Sequence, residues 1–122
     1  MACAPTSLVG KSIEWTGVHH SSTGDFTEIS THTVTYVSEY RCYVAANGKQ
    51  VRDAHYAYCR TDDRMGIVIY RPEVYQGRTD VVLNAMFDFA EGTDRAVILA
   101  GGEPFAVANG KMREVPTAVS GG

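Results

Sequence analysis

Four polar residues near one predicted turn have the types and spacing for acid–base chemistry. They are Tyr40, Lys49, Asp53 and His55, on either side of Asn47-Gly48. A histidine changes its charge near neutral pH, and neighbouring hydroxyl and carboxylate groups can orient it or shift its pKa. We therefore predict that these four residues form a catalytic set. The alternative is a half-buried polar network that only satisfies its own hydrogen bonds, since alternate residues of a strand stand roughly 6.5–7 Å apart.

The Asn47-Gly48 pair predicts a two-residue hairpin turn and, through it, a strand register. Both central residues of a type I′ turn need positive φ angles, which asparagine and glycine tolerate best. Counting outward from an Ala46–Lys49 pair groups one set of side chains on a shared face, because side chains alternate along a strand. The predicted pairs are Val44 with Val51, Cys42 with Asp53, Tyr40 with His55, Ser38 with Ala57, and Tyr36 with Cys59. We predict that this face is the wall of a ligand cavity.

The other face of the same hairpin is predicted to point outward. It carries Val37, Glu39, Arg41, Tyr43, Arg52, Tyr56 and Tyr58. Its charged residues are typical of a solvated surface, where ion pairs add little stability. Three exposed tyrosines on one face are typical of a subunit contact. We therefore predict a homodimer that uses Tyr43, Tyr56 and Tyr58.

Five further residues are predicted to line the ligand site. Trp15, Tyr36 and Tyr70 could form an aromatic pocket that stacks on a planar ligand. Cys42 lies on the predicted inner face, and Phe87 belongs to a series of inward-facing residues. Large aromatic side chains also fill small barrels, so the alternative is a packed core without a cavity. The partner that this set favours is a small apolar or aromatic ligand.

The histidines and cysteines do not predict a metal site. His19-His20 and His32 supply imidazoles, but adjacent strand residues point apart, and no acid or thiol at suitable spacing completes a ligand set. The three cysteines are odd in number and lack CxxC spacing, so neither a disulfide framework nor a zinc site is indicated. Cys42 and Cys59 are expected to be buried as small hydrophobic residues. We expect neither a metal nor a cofactor.

Composition narrows the class of protein. The chain has 122 residues and a formal net charge of −3, and 44% of its residues are hydrophobic. This length suits one domain over residues 1–122, with loose termini at 1–9 and 116–122. No basic stripe is present, so we expect no nucleic-acid partner. Neither a signal peptide nor a long apolar run is evident, so we expect no membrane partner and a cytoplasmic location.

Alternating apolar and polar residues predict strands rather than helices. The clearest segment is 78–90, where Val81, Leu83, Ala85, Phe87 and Phe89 share one face. Other strands are predicted at 11–18, 26–35, 66–70, 95–100 and 111–115, with a second turn at Asn109-Gly110. About eight strands joined by tight turns favour an antiparallel up-and-down β-barrel with little helix, since closure removes exposed edges. An eight-stranded barrel either fills itself with side chains or holds one small ligand.

Two stretches of the chain carry a resemblance to a known family. They are GKSIEWT at residues 10–16 and the run GKQVRDAHYAYCRTDDRMGIVIYRPEVYQGRTDVVLNAMFDFAEGTDRAVI at 48–98. Together they resemble the calycin-like barrel of the bacterial phenolic acid decarboxylases and MoaF-like proteins, over residues 8–99. The resemblance implies a lipocalin-like barrel whose cavity-facing positions are Lys49, Val51, Asp53 and His55, the same face that the predicted turn selects.

The residues that the resemblance assigns to decarboxylation are replaced in this chain. The two tyrosines that grip the substrate carboxylate correspond to Trp15 and Gly17. The family arginine corresponds to Lys49, which lacks a bidentate fork. The catalytic glutamate corresponds to Pro72, and Tyr70 stands where the family has tryptophan. The resemblance therefore implies the barrel but not the phenolic acid decarboxylase reaction.

Two functions of different classes follow from these patterns. The first is a cofactor-free lyase, isomerase or cyclase that acts on an aromatic or largely apolar metabolite inside the barrel, within bacterial small-molecule metabolism. The second is a non-catalytic carrier or sensor that holds a hydrophobic ligand in the same cavity. An enzyme should lose turnover on substitution of His55 or Tyr40, whereas a carrier should lose only affinity, most of all at Trp15.

Overall fold

The computed structural model shows a closed antiparallel barrel of eight strands, and it describes residues 3–21, 29–75 and 77–117. Each strand pairs with its neighbours in sequence, and β1 pairs with β8 to close the sheet. The strands are β1 Ser12–Ser21, β2 Ser30–Tyr36, β3 Arg41–Ala46, β4 Lys49–Arg60, β5 Met65–Pro72, β6 Val81–Asp88, β7 Thr93–Ala100 and β8 Glu103–Val115. The described ranges contain no helix. The all-β, up-and-down barrel predicted from the sequence is confirmed.

The first and last strands hold the barrel closed. Their register runs from Ser12 opposite Val115 to Ser21 opposite Ala106 without a shift. Every strand therefore has two hydrogen-bonded neighbours, and no edge is left to pair with another chain. β1 runs to Ser21, so His19 and His20 lie within the strand rather than in the predicted loop. The predicted start of the second strand, at residues 26–28, falls outside the described residues.

The alternation predicted for β6 is confirmed. Val81, Ala85, Phe87 and Phe89 are buried, and Leu83 packs against the same core. Side chains between them, such as Met86, face outward and are exposed. The core of the barrel is therefore built by the period-two pattern that is visible in the sequence.

Residues 3–11 close one end of the barrel, which we call the plugged end. Leu8 is only 1% exposed and Ala4 is also buried within the core. The Tyr58 hydroxyl donates to the Pro5 carbonyl at 2.6 Å, and the Ala4 amide donates to the Asp63 carbonyl at 2.7 Å. The expectation of a loose lead-in is wrong for the residues described here, because they bury apolar surface against the barrel.

The predicted turn at Asn47-Gly48 is confirmed, but the register beyond it is wrong. Asn47 and Gly48 have φ angles of 54° and 78°, and Ala46 pairs with Lys49. A β-bulge then intervenes, because Ala45 pairs with Gln50 whereas Val44 pairs with Arg52. Val51 is the extra residue in β4. From that point every β4 side chain lies on the face opposite to the predicted one.

The bulge turns Arg52, Tyr56 and Tyr58 inward and leaves Asp53 and His55 on the outer face. Cys42 is opposite Ala54 rather than Asp53, and Arg41 rather than Tyr40 is opposite His55. Tyr56 is 5% exposed and Tyr58 is half-buried, while His55 is exposed. Regular pairing would have turned Asp53 and His55 inward, at a desolvation cost that the bulge avoids. The predicted outward tyrosine face is therefore wrong for Tyr56 and Tyr58, although the homodimer stays a prediction.

The second asparagine–glycine pair does not form a turn. Asn109 and Gly110 lie in the middle of β8, where Gly110 is opposite Gly17 of β1. A Cβ atom at either glycine would come within 3.0 Å of the Trp15 ring. The glycines are needed here because they leave room for an indole, not because they reverse the chain.

Candidate functional site

A cavity of about 90 Å³ lies inside the barrel. Small and branched aliphatic side chains from most of the strands form its walls. They include Val34, Val44, Ala54, Leu83, Ala85 and Ala108. Alanine is frequent among them, and so the barrel interior is not filled across its whole width. The alternative of a solid core, which the sequence left open, does not apply to this region.

An aromatic cluster forms one side of the cavity. The Trp15 ring stacks on His32 with centroids 5.0 Å apart, and it contacts His19 at 5.1 Å. His19 also lies 6.3 Å from the ring of Tyr75, a residue of the β5–β6 connection. Tyr75 stands at the end of the barrel opposite the plugged end. The cluster therefore connects the middle of the cavity with that end.

The two imidazoles in this cluster are held in their neutral form. Burial, with smaller contributions from the nearby His19 and Arg52, lowers the pKa of His32 to about 4. Burial also lowers the pKa of His19, with smaller effects from Arg52 and His20. A neutral imidazole has one nitrogen lone pair that can accept a proton. The His32 ring can thus act as a base near neutral pH.

Arg52 brings a cation to the cavity wall. Its guanidinium carbon lies 5.3 Å from the centre of the Tyr75 ring. Burial lowers the pKa of Arg52, although a guanidinium remains charged at neutral pH. No ion pair involving Arg52 occurs among residues 3–21, 29–75 and 77–117. This side chain can therefore receive a polar or anionic group of a ligand.

Two tyrosines share a short hydrogen bond deep in the barrel. The hydroxyls of Tyr36 and Tyr70 contact each other, and Tyr36 is 1% exposed. Burial raises the pKa of both phenols well above the usual value, so both carry their protons at neutral pH. Tyr56 packs edge-on against Tyr36 at 4.9 Å, and its hydroxyl donates to the Ser38 carbonyl at 2.5 Å. Of the three, Tyr70 borders the cavity.

Asp94 places a carboxyl group against the same cavity. It is the second residue of β7, so it lies toward the plugged end. The Trp15 indole Nε1–H donates to its backbone carbonyl at 2.9 Å. Within the described part of the chain, nothing donates a hydrogen bond to the Asp94 side chain. Burial raises the pKa of this carboxyl to about 8, so it is largely protonated at neutral pH.

The structure brings together only some of the predicted site residues. Trp15 and Tyr70 line the cavity, and the Tyr36 hydroxyl is hydrogen-bonded to that of Tyr70. Cys42 and Phe87 are buried in the barrel, at 2% and 1% exposure, without bordering the cavity. These positions agree with the predicted inner face, although ligand binding by these residues stays a prediction.

The predicted catalytic set does not lie on the inner wall. Tyr40 is 65% exposed, and Lys49 and His55 are exposed as well. Asp53 accepts a hydrogen bond from Gln50 at 2.9 Å on the outside of the barrel. The predicted inward grouping is wrong for Asp53 and His55 because the bulge at Val51 reverses the faces of β4 beyond it. Lys49 lies next to the turn and Tyr40 precedes β3, and both are exposed there. A catalytic role for these four residues stays a prediction.

Sequence reasoning missed the five polar or aromatic residues that line the cavity beside Trp15 and Tyr70. They are His19, His32, Arg52, Tyr75 and Asp94. Arg52 was placed outward by the unbroken register, and His19 was placed in a loop. Asp94 resembles an ordinary turn residue, since it follows Glu91-Gly92-Thr93. Only the alternation of Trp15 with His19 along β1 was a usable signal, because both have the same parity.

Neither thiol chemistry nor a metal centre is indicated in the described chain. Burial raises the pKa of the Cys42 thiol to about 12, with a further contribution from Asp53. Cys59 is exposed, so its predicted burial is wrong. No group of three or more histidine, cysteine, aspartate or glutamate side chains in the described ranges could hold a metal ion.

The chain matches no protein-family model and no curated protein. A search of the described residues for a helix long and apolar enough to cross a membrane finds none.

Proposed function

We propose that the barrel binds a small, largely apolar molecule in its cavity and transforms it by acid–base chemistry without a cofactor. The reaction would be that of a lyase, an isomerase or a cyclase. The observation that carries this proposal is one cavity bordered by apolar walls, a buried protonated carboxyl at Asp94 and the neutral imidazoles of His19 and His32. Such pairs of groups with pKa values shifted in different directions are typical of acid–base sites.

The size of the cavity limits the ligand. A volume of about 90 Å³ is smaller than the roughly 150 Å³ of an engineered cavity that binds benzene. The cavity therefore encloses the reacting end of a molecule, while the remainder extends toward Tyr75 and Arg52. A polar or anionic group on that part of the ligand would contact the Arg52 guanidinium.

A carrier or sensor is the second candidate, and the lining of the cavity favours it. Most of the wall is aliphatic and made of residues such as Val44, Leu83 and Ala96, which bind apolar surface but cannot react. The calycin-like relationship, the cytoplasmic location and the homodimer remain proposals beside both functions. The eight-stranded up-and-down barrel supports the calycin-like relationship.

The test is whether a small molecule stays bound in the barrel. Native mass spectrometry of protein purified from its producing cells should show an additional small mass. Ala96→Leu puts an isobutyl group into the cavity and should remove that mass, whereas Ala57→Leu, at an exposed position on the outer face of β4, should retain it. Wild-type protein without any bound mass, and without binding of added apolar compounds, would contradict the proposal.

The bound molecule also separates the two candidates. Incubation of the identified compound with wild-type protein should yield a product if the barrel is an enzyme. His32→Gln should then reduce turnover more than affinity, while His20→Gln, at an exposed position of β1, should change neither. An unchanged compound after prolonged incubation would favour the carrier.

A further inference from the structure

Two hydroxyl donors border the cavity near its plugged end. One is the carboxyl of Asp94, and the other is the phenol of Tyr70. The Asp94 carboxyl is close enough to raise the pKa of both Tyr36 and Tyr70 electrostatically, although burial has the larger effect. The three groups therefore form one local cluster, which we call the donor cluster.

The Tyr36–Tyr70 hydrogen bond can run in either direction. A phenol has one proton to donate, so one hydroxyl of the pair donates and the other accepts. Tyr36 does not border the cavity, and its hydroxyl has no other partner in the described chain. If Tyr36 accepted, its own buried proton would be left without an acceptor, which is costly. When Tyr36 donates to Tyr70, the Tyr70 proton remains for an acceptor in the cavity, and a bound carbonyl oxygen would favour this orientation.

The Asp94 carboxyl is the second available proton. It is protonated at neutral pH because it is buried and because no cation pairs with it among the residues described. A protonated carboxyl donates through its O–H group. Two neutral O–H donors facing one cavity suit an acceptor oxygen with two lone pairs. A tyrosine beside a protonated carboxylic acid is also a known arrangement for stabilising an oxyanion.

Trp15 connects this cluster with a base. Its indole N–H holds the backbone of Asp94, and its ring face stacks on His32 at 5.0 Å. His32 and Asp94 thus lie at different parts of one indole, and both border the same cavity. A ligand whose oxygen contacts the donor cluster can therefore extend along the indole toward the neutral imidazole.

We propose that the substrate is a small unsaturated ketone whose carbonyl oxygen accepts hydrogen bonds from Asp94 and Tyr70 while His32 removes a proton from a saturated carbon next to the carbonyl or at the far end of its C=C bond. The C–H bond breaks, its proton moves to the imidazole, and its electron pair forms a C=C bond as the carbonyl becomes an enolate oxygen. Return of the proton to another carbon of the conjugated system restores the carbonyl and leaves an isomer. No oxidant or reductant is consumed.

This inference rests on the proposed function, since it needs a ligand in the cavity. It can be tested with cyclopent-2-en-1-one as the probe, in D₂O buffer with the full chain. The infrared carbonyl band of the bound probe should shift to lower wavenumber than in water. Mass spectrometry should show protein-dependent deuterium incorporation into the two saturated ring carbons, C4 and C5, whose hydrogens the conjugated carbonyl makes acidic.

Variants should separate the roles of the three side chains. Tyr70→Phe should slow deuterium incorporation by about 10²-fold, as expected for removing one oxyanion donor, and should reduce the shift of the carbonyl band. His32→Gln should slow incorporation by about 10²-fold or more while leaving the band shifted. His20→Gln is the matched control and should behave like wild type.

The pH profile provides a readout that does not depend on a substitution. Exchange should fall as pH rises through about 8, where the Asp94 carboxyl loses its proton. The other titratable groups at the cavity are His19, His32, Arg52, Tyr70 and Tyr75. Burial lowers the pKa of both histidines and raises that of both tyrosines, so none of these groups should titrate near pH 8. In Asp94→Asn this fall should be absent.

Two kinds of result would overturn the proposed ketone chemistry. A probe that binds with an unshifted carbonyl band, or exchange that is equal in wild type, Tyr70→Phe and His32→Gln, would overturn it while leaving the binding function intact. A probe that does not bind would also overturn it, because the hydroxyl groups of Asp94 and Tyr70 should retain this carbonyl. The proposed function would then still be decided by the molecule that co-purifies with the protein.

Discussion

The indole of Trp15 occupies the space that a side chain at Gly110 would need. A Cβ atom built on Gly110 would lie within 3.0 Å of the Trp15 Nε1 and Cε2 atoms. The glycine in β8 thus allows the tryptophan of β1 to lie flat against the sheet. In that position the indole reaches Asp94 on one side and His32 on the other. One small residue on the last strand therefore positions much of the cavity wall.

Gly110→Ala should destabilise the barrel by about 2 kcal/mol, because overpacking a tight core position forces the ring to move. Urea unfolding followed by fluorescence would measure this, since Trp15 is the only tryptophan in the chain. The folded variant should also show a shifted emission maximum. Lys111→Ala, at the next and exposed position, should stay within about 0.5 kcal/mol of wild type. Equal stability of Gly110→Ala and wild type would show that the indole is not confined by β8.

Tyr36→Phe should cost about 1–3 kcal/mol of unfolding free energy, because it removes the hydrogen-bond partner of the Tyr70 hydroxyl in a buried site. Tyr70→Phe should cost a similar amount, since it leaves the Tyr36 hydroxyl unsatisfied. The double variant should be more stable than the sum of the two losses predicts. Strict additivity in this cycle, measured by urea unfolding, would mean that the two hydroxyls do not interact.

Stability should fall between about pH 6.5 and pH 8 because of Asp94. Its pKa of about 8 in the folded barrel lies above the value of about 3.9 in an unfolded chain. Between these two pKa values the folded state binds a proton that the unfolded chain does not. The resulting stabilisation is complete at low pH and is lost as pH rises through 8. The slope should reach at most about −1.4 kcal/mol per pH unit.

Between about pH 4 and pH 6.5 the histidines should oppose this trend. The pKa of His32 falls to about 4 on folding, so the unfolded chain holds more protons there and stability rises with pH. The two slopes should largely cancel in wild type. Urea midpoints measured from pH 4 to 8.5 should rise in Asp94→Asn over the lower range and stay flat above it. If Asp94→Asn still loses stability between pH 6.5 and 8, another group titrates there.

Deletion of Val51 should be tolerated within about 1 kcal/mol. Without it, Gln50 and Arg52 become adjacent while keeping their partners Ala45 and Val44, so the hairpin becomes regular. Deletion of Ala54 should prevent folding, because part of β4 would then turn its side chains to the wrong face. Circular dichroism and urea unfolding of the two deletions would compare them directly. A folded Ala54 deletion would contradict the register.

Thiol reagents should distinguish the three cysteines. Cys3 and Cys59 are exposed and should react quickly with Ellman's reagent in the native protein. Cys42 should stay unreacted until the barrel unfolds, since it is buried and its pKa is raised to about 12. Mass spectrometry after brief alkylation would identify the modified sites. Rapid native modification of Cys42 would indicate that the barrel opens between β3 and β4.

Patterns among neighbouring residues predicted most of the fold. The alternation of Val81, Ala85 and Phe87 predicted an inward face in β6, and Asn47-Gly48 predicted a turn that the structure contains. Both depend on neighbouring residues alone, because a strand has a fixed period of two and a tight turn has fixed φ angles. The same local signal at Asn109-Gly110 predicted a turn wrongly, since the contact that decides it comes from Trp15, far away in sequence.

The candidate site was less predictable for the same reason. The sequence by itself determined the class of fold and the hairpin turn at Asn47-Gly48. It also determined that the aromatic residues Trp15 and Tyr70 reach the cavity. Only the tertiary structure decided that Val51 forms a bulge and that Arg52 therefore faces inward. It also decided that the Trp15 indole contacts Asp94 through its N–H group and His32 through its ring face. The physical reason is that the desolvation cost of each β4 side chain depends on the strands that pack against it. The choice between a bulged and a regular β4 is therefore decided by the closed barrel and not by β4 alone.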